Sequence, residues 1–152
     1  GKIPNPDNIN DNDNEILNEV ISQKNDIESN LNQFKFREAL KSLINIARIG
    51  NKFLADTEPW KIKNENPERV EQILKTSFEI VSYLAVLSEP FIPHTSKKLK
   101  KMIGLNKSDW SNLDNLGREI NFNFTITNKE MLFRRIEDSE IEFQISRLKN
   151  DI

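Results

Sequence analysis

The sequence of 152 residues contains no cysteine, one histidine and four glycines. The absence of cysteine excludes disulfides, thiolate zinc sites and thiol nucleophiles. So few glycines argue against a β fold with many turns. No apolar run approaches the length of a membrane span, and no targeting leader is visible at the start of the sequence. We therefore expect a cytoplasmic protein with no membrane partner.

Catalytic signatures are also missing. The sequence shows no glycine-rich phosphate loop, no zinc-ligand spacing and no Ser/His/Asp set. The single histidine, His94, directly follows Pro93 in a corner with two prolines and is more typical of a corner residue than of a catalyst. With 22 basic and 24 acidic side chains, the net charge of −2 excludes a bulk electrostatic footprint for nucleic acid, so any such binding must be local. The chain is expected to be a non-catalytic binding or scaffold module that holds no cofactor of its own.

Apolar residues recur at three- and four-residue steps and predict an all-α, antiparallel helix bundle. Asp13 or Asn14 is the expected N-cap of the first helix, Asn66 caps the third, and Gly104 ends the fourth. The predicted helices cover residues 13–32, residues 36 to 56–58, residues 67–89, and a fourth segment from Thr95 or Ser96 to residue 103. We divide the chain into a lead-in (1–13), the helical bundle (14–104), and a return segment with a short extended or helical C-terminal tail (105–152).

The second helix leads to the most informative segment of the sequence. Its predicted buried stripe consists of Leu40, Leu43, Ile44, Ala47, Asn51 and Leu54. Pro59 should end the helix near residues 56–58, which places Trp60 just past the helix end. With Lys61 and Lys63 beside it, this ring could stack on a nucleotide base with its phosphates. A tryptophan at such a place more often packs as core, and the lysines could equally be a solvated rim.

Two later segments have open interpretations. The lysine-rich run 97–101 predicts a solvated helix face, with a phosphate contact as the alternative. Ile120, Phe122, Phe124 and Ile126 alternate with polar residues, which indicates a short strand or an extended segment on a surface. Phe133 is expected to pack as a plug on the bundle, and residues 138–152 form a polar last helix or tail.

Several motifs together resemble the C-terminal, all-helical anticodon-binding domain of methionyl-tRNA synthetases, which are class I aminoacyl-tRNA synthetases. The motifs are Lys2-Ile3-Pro4, Phe36-Arg37-Glu38-Ala39, Glu58-Pro59-Trp60-Lys61, Pro90-Phe91-Ile92-Pro93-His94-Thr95-Ser96 and Leu132-Phe133-Arg134-Arg135-Ile136-Glu137. The resemblance covers nearly the whole chain. It implies that Trp60 stacks on a base of the CAU anticodon. Helical spacing adds the expectation that Asn51 and Arg48 shape the pocket and that Lys61 and Lys63 neutralise phosphates.

The resemblance also implies what lies elsewhere in a parent enzyme. In the family, the base edges are read by an Asn and an Arg on a helix before the position of Gly1, and the His-x-Gly-His and Lys-Met-Ser-Lys-Ser catalytic motifs are absent from this sequence. The expected parent is a methionine–tRNA ligase that uses ATP with Mg²⁺, with a structural zinc in the catalytic part as an open option. The expected partners are the anticodon of tRNA(Met) and the catalytic domain of the same chain. Alternatives are a valine, leucine or isoleucine type of synthetase, or a helical protein-interaction bundle with no role in RNA binding.

Overall fold

A computed structural model describes residues 1–105, 108–110, 116, 120, 122, 124–126 and 130–150. Its helices are α1 (Asp11–Asn32), α2 (Phe36–Thr57), α3 (Pro59–Ile62), α4 (Pro67–Leu87), α5 (Pro93–Ile103) and α6 (Asp138–Asn150). Helices α1, α2 and α4 pack against one another, α5 packs on α4, and the short α3 also contacts α4. The predicted all-α class is confirmed. Among the described helices, none is both long enough and apolar enough to cross a membrane.

Local capping signals set most helix ends. The Asn66 side chain accepts a hydrogen bond from the Arg69 backbone N–H at 3.0 Å, as predicted for the start of α4. Gly104 ends α5 in the left-handed conformation, with φ of 80°, also as predicted. Helix α5 begins at Pro93, two or three residues before the predicted start at Thr95 or Ser96. Proline is favoured in a first helical turn, because the N–H that it lacks would be unpaired there anyway.

The predicted cap of α1 was wrong. Asn10 is the N-cap and its side chain accepts from the Asn12 N–H at 2.9 Å, so α1 starts at Asp11, inside the segment assigned to the lead-in. Asp13 does not cap the helix, because its carboxylate is buried and bonded to Arg69 of α4. A contact between distant parts of the chain therefore overrides the local capping preference of this residue.

The core lies between α1, α2 and α4. Its fully buried apolar side chains come from all three helices: Val20 and Ile27, Ile46, and Ile73, Ile80, Val86 and Leu87. Burying a side chain of this size contributes about 1.5–3 kcal/mol relative to leaving it in water. Ideal Cβ geometry would place a methyl group at Gly50 only 3.1 Å from Cγ2 of Ile80, so the glycine lets α2 approach α4 closely.

The predicted buried stripe of α2 was only partly right. Leu43 is buried, but Leu40 and Ile44 are 40% and 45% exposed, and Asn51 is exposed as well. The buried residues of α2 are instead Ala39, Leu43, Ile46, Ile49 and Phe53. Gly50 lies beside these buried residues, at the place where a Cβ would come within 3.1 Å of Cγ2 of Ile80.

The segment after α5 returns across the start of the chain. Thr125 forms an isolated antiparallel bridge with Lys2, and the Ile126 N–H donates to the Gly1 carbonyl at 3.0 Å. The Phe122 ring packs on the Phe78 ring with centroids 6.1 Å apart. Among the described residues of this segment, the second of the two interpretations therefore holds: an extended segment lies on the bundle.

The prediction for Phe133 was wrong, because its side chain is 68% exposed and plugs nothing in the described part of the chain. Helix α6 was predicted from residue 138 and begins there. Arg134 makes a two-bond ion pair with Glu140 at its start, with both N–O distances 2.5 Å. These bonds and the Glu137 N–H lower the pKa of Glu140 to about 2.

Candidate nucleic-acid interface

The joint between α2 and α3 is a single residue, Glu58. Its backbone lies in the left-handed region, with φ of 40° and ψ of 56°. The Glu58 N–H donates to the Leu54 carbonyl at 3.0 Å, and the Lys61 N–H donates to the Glu58 carbonyl at 2.8 Å. A left-handed residue other than glycine costs about 1–2 kcal/mol. Glu58 is held in this conformation by hydrogen bonds on both sides and by Pro59, whose buried ring begins α3.

Trp60 is the second residue of α3, and its side chain is 57% exposed. The interpretation of this ring as a core residue is therefore wrong. The turn at Glu58 directs Pro59 into the protein and leaves the indole in solvent, while Ile62 packs against the core from the same short helix. A large exposed indole on a well-anchored turn can offer one flat face to a planar ligand.

The two lysines beside Trp60 differ in their surroundings. Lys61 Nζ forms an ion pair with Glu58 at 2.8 Å, although both side chains are largely exposed. Lys63 is exposed at the end of α3 and has no carboxylate partner among the described residues. Exposed pairs such as Glu58–Lys61 typically contribute only about 0–1 kcal/mol, so Lys61 can exchange its carboxylate for a phosphate at little cost.

A cleft of about 330 Å³ lies beside this joint, between the start of α1 and the end of α2. Arg48 and Lys52 bring positive charge to it, and Lys52 is paired with Asp56 at 3.5 Å. The remaining lining groups are amides, carboxylates, a hydroxyl and apolar side chains: Asn12, Asn45, Glu19, Asp56, Thr57, Ile16, Ile49 and Phe53. Amides and cations at one opening can hydrogen-bond base edges and phosphates.

The five predicted site residues lie at one end of the bundle but do not line one pocket. Arg48 lines the cleft, whereas Asn51 is exposed on α2 three residues later and is not part of the lining. Trp60 and Lys61 lie on α3 and Lys63 directly follows it, all outside that lining. The structure thus shows two adjoining surfaces, joined through Thr57 and Glu58.

Sequence reasoning missed three residues of these surfaces. Asn12 of α1 and Asn45 of α2 both line the cleft, and no local pattern shows that these two residues, 33 positions apart in the chain, will line the same cleft. Glu58 was named only as part of a motif. Its place before Pro59 signals a departure from the right-handed helical region, but extended backbone is the usual outcome there, so the left-handed turn was not predicted.

A buried ion pair holds the starts of α1 and α4 together at this end of the bundle. Asp13 is fully buried, and its two carboxylate oxygens accept from Arg69 at 2.6 and 2.7 Å. The Thr76 hydroxyl lies 3.4 Å from the same carboxylate. Two parallel bonds fix the relative orientation of the two side chains. Helix α4 starts five residues after α3 and contacts it, so this ion pair anchors the helix against which the segment carrying Trp60 packs.

The described residues do not form a metal site. No group of three or more histidine, cysteine, aspartate or glutamate side chains is arranged there to hold an ion. The sequence also has no cysteine and one histidine, so this part of the chain does not fit a zinc site.

Comparison with known proteins identifies the family. The family described as the anticodon binding domain of methionyl tRNA ligase matches residues 3–150. A methionine–tRNA ligase of Bacteroides fragilis is 43% identical over 150 residues, which are 97% of this chain and 22% of that protein. One from Cytophaga hutchinsonii is 45% identical over 124 residues, covering 82% of this chain and 18% of the relative. The chain therefore spans about a fifth of the length of these curated relatives.

A solved structure shares the fold. Methionyl-tRNA synthetase of Mycobacterium tuberculosis in its free state superimposes with a TM-score of 0.81 at 19% identity, covering 90% of this chain and 28% of that one. This likeness supports the fold. Because the family match extends over nearly the whole chain, the protein belongs to the family of anticodon-binding domains of methionyl tRNA ligases.

Proposed function

We propose that this domain binds the CAU anticodon of tRNA(Met) and presents the tRNA to the catalytic domain of a methionine–tRNA ligase. The observation that carries the proposal is the position of Trp60, a 57% exposed indole on a turn anchored by a buried proline. An indole in this position presents a flat apolar face on which a base can stack. The family and the names of the relatives favour the methionine type over the valine, leucine and isoleucine types.

In the proposed complex, the Trp60 ring stacks on one anticodon base. Stacking on an aromatic side chain typically contributes about 1–3 kcal/mol per base. It is tolerant of base identity, so discrimination needs hydrogen bonds to base edges. Asn51 on α2 and Arg48 at the mouth of the cleft supply polar groups beside the stack.

Positive charge on α3 completes the site. Lys63 has no carboxylate partner among the described residues, and Lys61 can leave Glu58 for a phosphate. Each lysine neutralises backbone charge and carries no sequence information. ATP and Mg²⁺ are assigned to the catalytic part of the proposed ligase, as is any structural zinc.

The test uses the full-length enzyme with Trp60→Ala. Loss of the stack should lower kcat/KM for tRNA by about 5- to 140-fold, which corresponds to 1–3 kcal/mol. Methionine-dependent ATP–pyrophosphate exchange should not change, because it does not use tRNA. Trp60→Phe should retain part of the efficiency, since phenylalanine still offers a flat ring.

Trp110→Phe is the matched control, because Trp110 is the other tryptophan and packs against the core. It should leave the tRNA efficiency near that of the parent. The proposal fails if Trp60→Ala aminoacylates tRNA(Met) as efficiently as the parent enzyme, or if it loses efficiency equally in the tRNA-independent exchange reaction.

A further inference from the structure

Helix α5 carries a concentration of positive charge. Its eleven residues, Pro93–Ile103, contain four lysines and no carboxylate, in a chain whose net charge is −2. Lys100 is buried, and its ammonium group donates to Glu89 at 3.0 Å and to the Ser108 carbonyl at 3.1 Å. The charge of Lys100 is therefore used inside the domain, whereas Lys97, Lys98 and Lys101 are exposed.

The three exposed lysines share one side of the helix with His94. At 100° per residue, these four side chains span about 100° of the helix circumference. The opposite side of α5 carries the buried Ser96 and Ile103. We call the surface formed by His94, Lys97, Lys98 and Lys101 the basic face. Three of its members, His94, Lys97 and Lys101, line a groove of about 600 Å³ together with Glu89, Pro93 and Lys100.

Several other exposed lysines of the domain pair with a carboxylate, although Lys63 has none within 4 Å among the described residues. Lys41 pairs with Glu38 at 3.9 Å, and Lys52 pairs with Asp56 at 3.5 Å. In the part of the chain that the structure describes, the three lysines of the basic face have no carboxylate within 4 Å. Like charges three and four residues apart on a helix repel one another and destabilise it. Binding of a polyanion relieves this repulsion.

The basic face starts at the opposite end of α4 from Trp60. Helix α3 precedes the first residue of α4 and α5 follows its last, and the 21 residues of α4 span about 32 Å. A ligand that reaches both places must be extended and must carry repeated negative charge. The phosphodiester backbone of a tRNA has both properties.

We propose that the basic face of α5 binds the phosphodiester backbone of the same tRNA, at a place distant from the anticodon. The inference rests on the proposed function and extends it with a second contact. Lysine ammonium groups are compact charges without a planar fork, so they suit phosphates and do not read base edges. The contact adds affinity that is independent of the anticodon and sensitive to salt.

The experiment measures Kd for tRNA with the full-length enzyme and the triple variant Lys97→Gln, Lys98→Gln and Lys101→Gln. Each lost phosphate contact should reduce the slope of log K against log salt by about 0.7–0.9. Three contacts therefore predict a slope smaller by about 2.1–2.7. Between 50 and 200 mM salt, the ratio of the variant's Kd to the parent's Kd should fall about 20- to 40-fold.

The matched control removes three exposed positive charges from the start of α2, with Lys35→Gln, Arg37→Gln and Lys41→Gln. It should keep the slope of the parent enzyme. The α5 variant should weaken binding of tRNA with CAU and with a scrambled anticodon by the same factor, and should leave methionine-dependent ATP–pyrophosphate exchange unchanged.

Three results would overturn the inference: an unchanged salt slope in the α5 variant, an equal change in the α2 control, or a loss confined to the CAU tRNA. A fourth result would also overturn the inference. If the α5 variant lost binding to vesicles that contain an anionic lipid while its tRNA binding stayed unchanged, the basic face would be a membrane-binding surface. Failure of the proposed function is distinguishable, because Trp60→Ala should lower the affinity without altering the salt slope.

Discussion

The buried pair between Asp13 and Arg69 allows a quantitative test of how the bundle is held together. Asp13→Asn keeps the size of the side chain but removes its charge, and it points an amide N–H₂ at a guanidinium that can only donate. Removing one partner of a buried pair typically costs 3–5 kcal/mol, because the other charge stays buried without compensation. The Arg69 side chain is 19% exposed, so we expect the lower end, about 3 kcal/mol.

That loss is large against the 5–15 kcal/mol of stability that is usual for a folded domain. Equilibrium urea unfolding followed by circular dichroism gives the free energy of unfolding for the parent, Asp13→Asn, Arg69→Gln and the double variant. The loss of stability in the double variant should be smaller than the sum of the two single losses by more than about 1 kcal/mol. The reason is that each single variant already breaks the same ion pair.

Asp11→Asn is the matched control, because Asp11 is an exposed acid in the first turn of the same helix. Its loss should be below about 1 kcal/mol, the usual contribution of an acid to a helix start. The reasoning is refuted if Asp13→Asn unfolds at the urea concentration of the parent, or if the effects of the two single variants simply add.

Variants at three further residues test other parts of the structure, each by urea or thermal unfolding. Burial raises the pKa of Glu79, and the opposing attraction of Lys75 is the smaller cause. The folded state therefore holds this proton more tightly than the unfolded state, and stability falls as pH rises above the ordinary value of 4.5. Glu79→Gln should be more stable than the parent at pH 7 and equal to it below pH 4.5, and a constant difference at all pH values would contradict this. Phe34 has φ of 59° and its side chain is 80% exposed, so its left-handed backbone is the main cost of this position. Phe34→Gly should therefore be more stable than Phe34→Ala by about 1 kcal/mol. Equal stabilities of the two variants would count against strain at this residue. Gly104→Ala would place a Cβ 2.6–2.9 Å from ring atoms of Phe124, on a backbone with φ of 80°. We expect the free energy of unfolding to fall by about 2 kcal/mol or more. A fall of less than about 1 kcal/mol would argue against this packing.

Local signals in the sequence predicted the helix ends correctly where one residue dictates one backbone conformation. Pro59 ends α2, Asn66 with Pro67 starts α4, and Gly104 ends α5, because each effect acts within one helical turn. The family resemblance rested on motifs at such turns and corners, and it is confirmed by the family match.

Decisions that depend on packing could not be made from periodicity alone. Helix α2 has apolar side chains on more than one side, and its packing against α1 and α4 determines which of them are buried. Asp13 was predicted to be a helix cap from its local sequence. Its actual partner, Arg69, lies 56 residues away in the chain, and no local pattern indicates that contact. The exposure of Trp60 likewise depends on the left-handed turn at Glu58, and its role in binding stays a prediction until it is tested.

The single-residue joint at Glu58 has a consequence for how this domain can vary. Because α2 passes directly into α3 without a flexible loop, the direction of the indole is locked to the helical phase of α2. Deleting or inserting one residue in the last turns of α2 would rotate everything beyond it by about 100° around the helix axis. Trp60 would then face a different side of the domain, although every residue type needed for stacking would still be present. Substitutions in this helix should therefore be accepted far more readily than changes in its length.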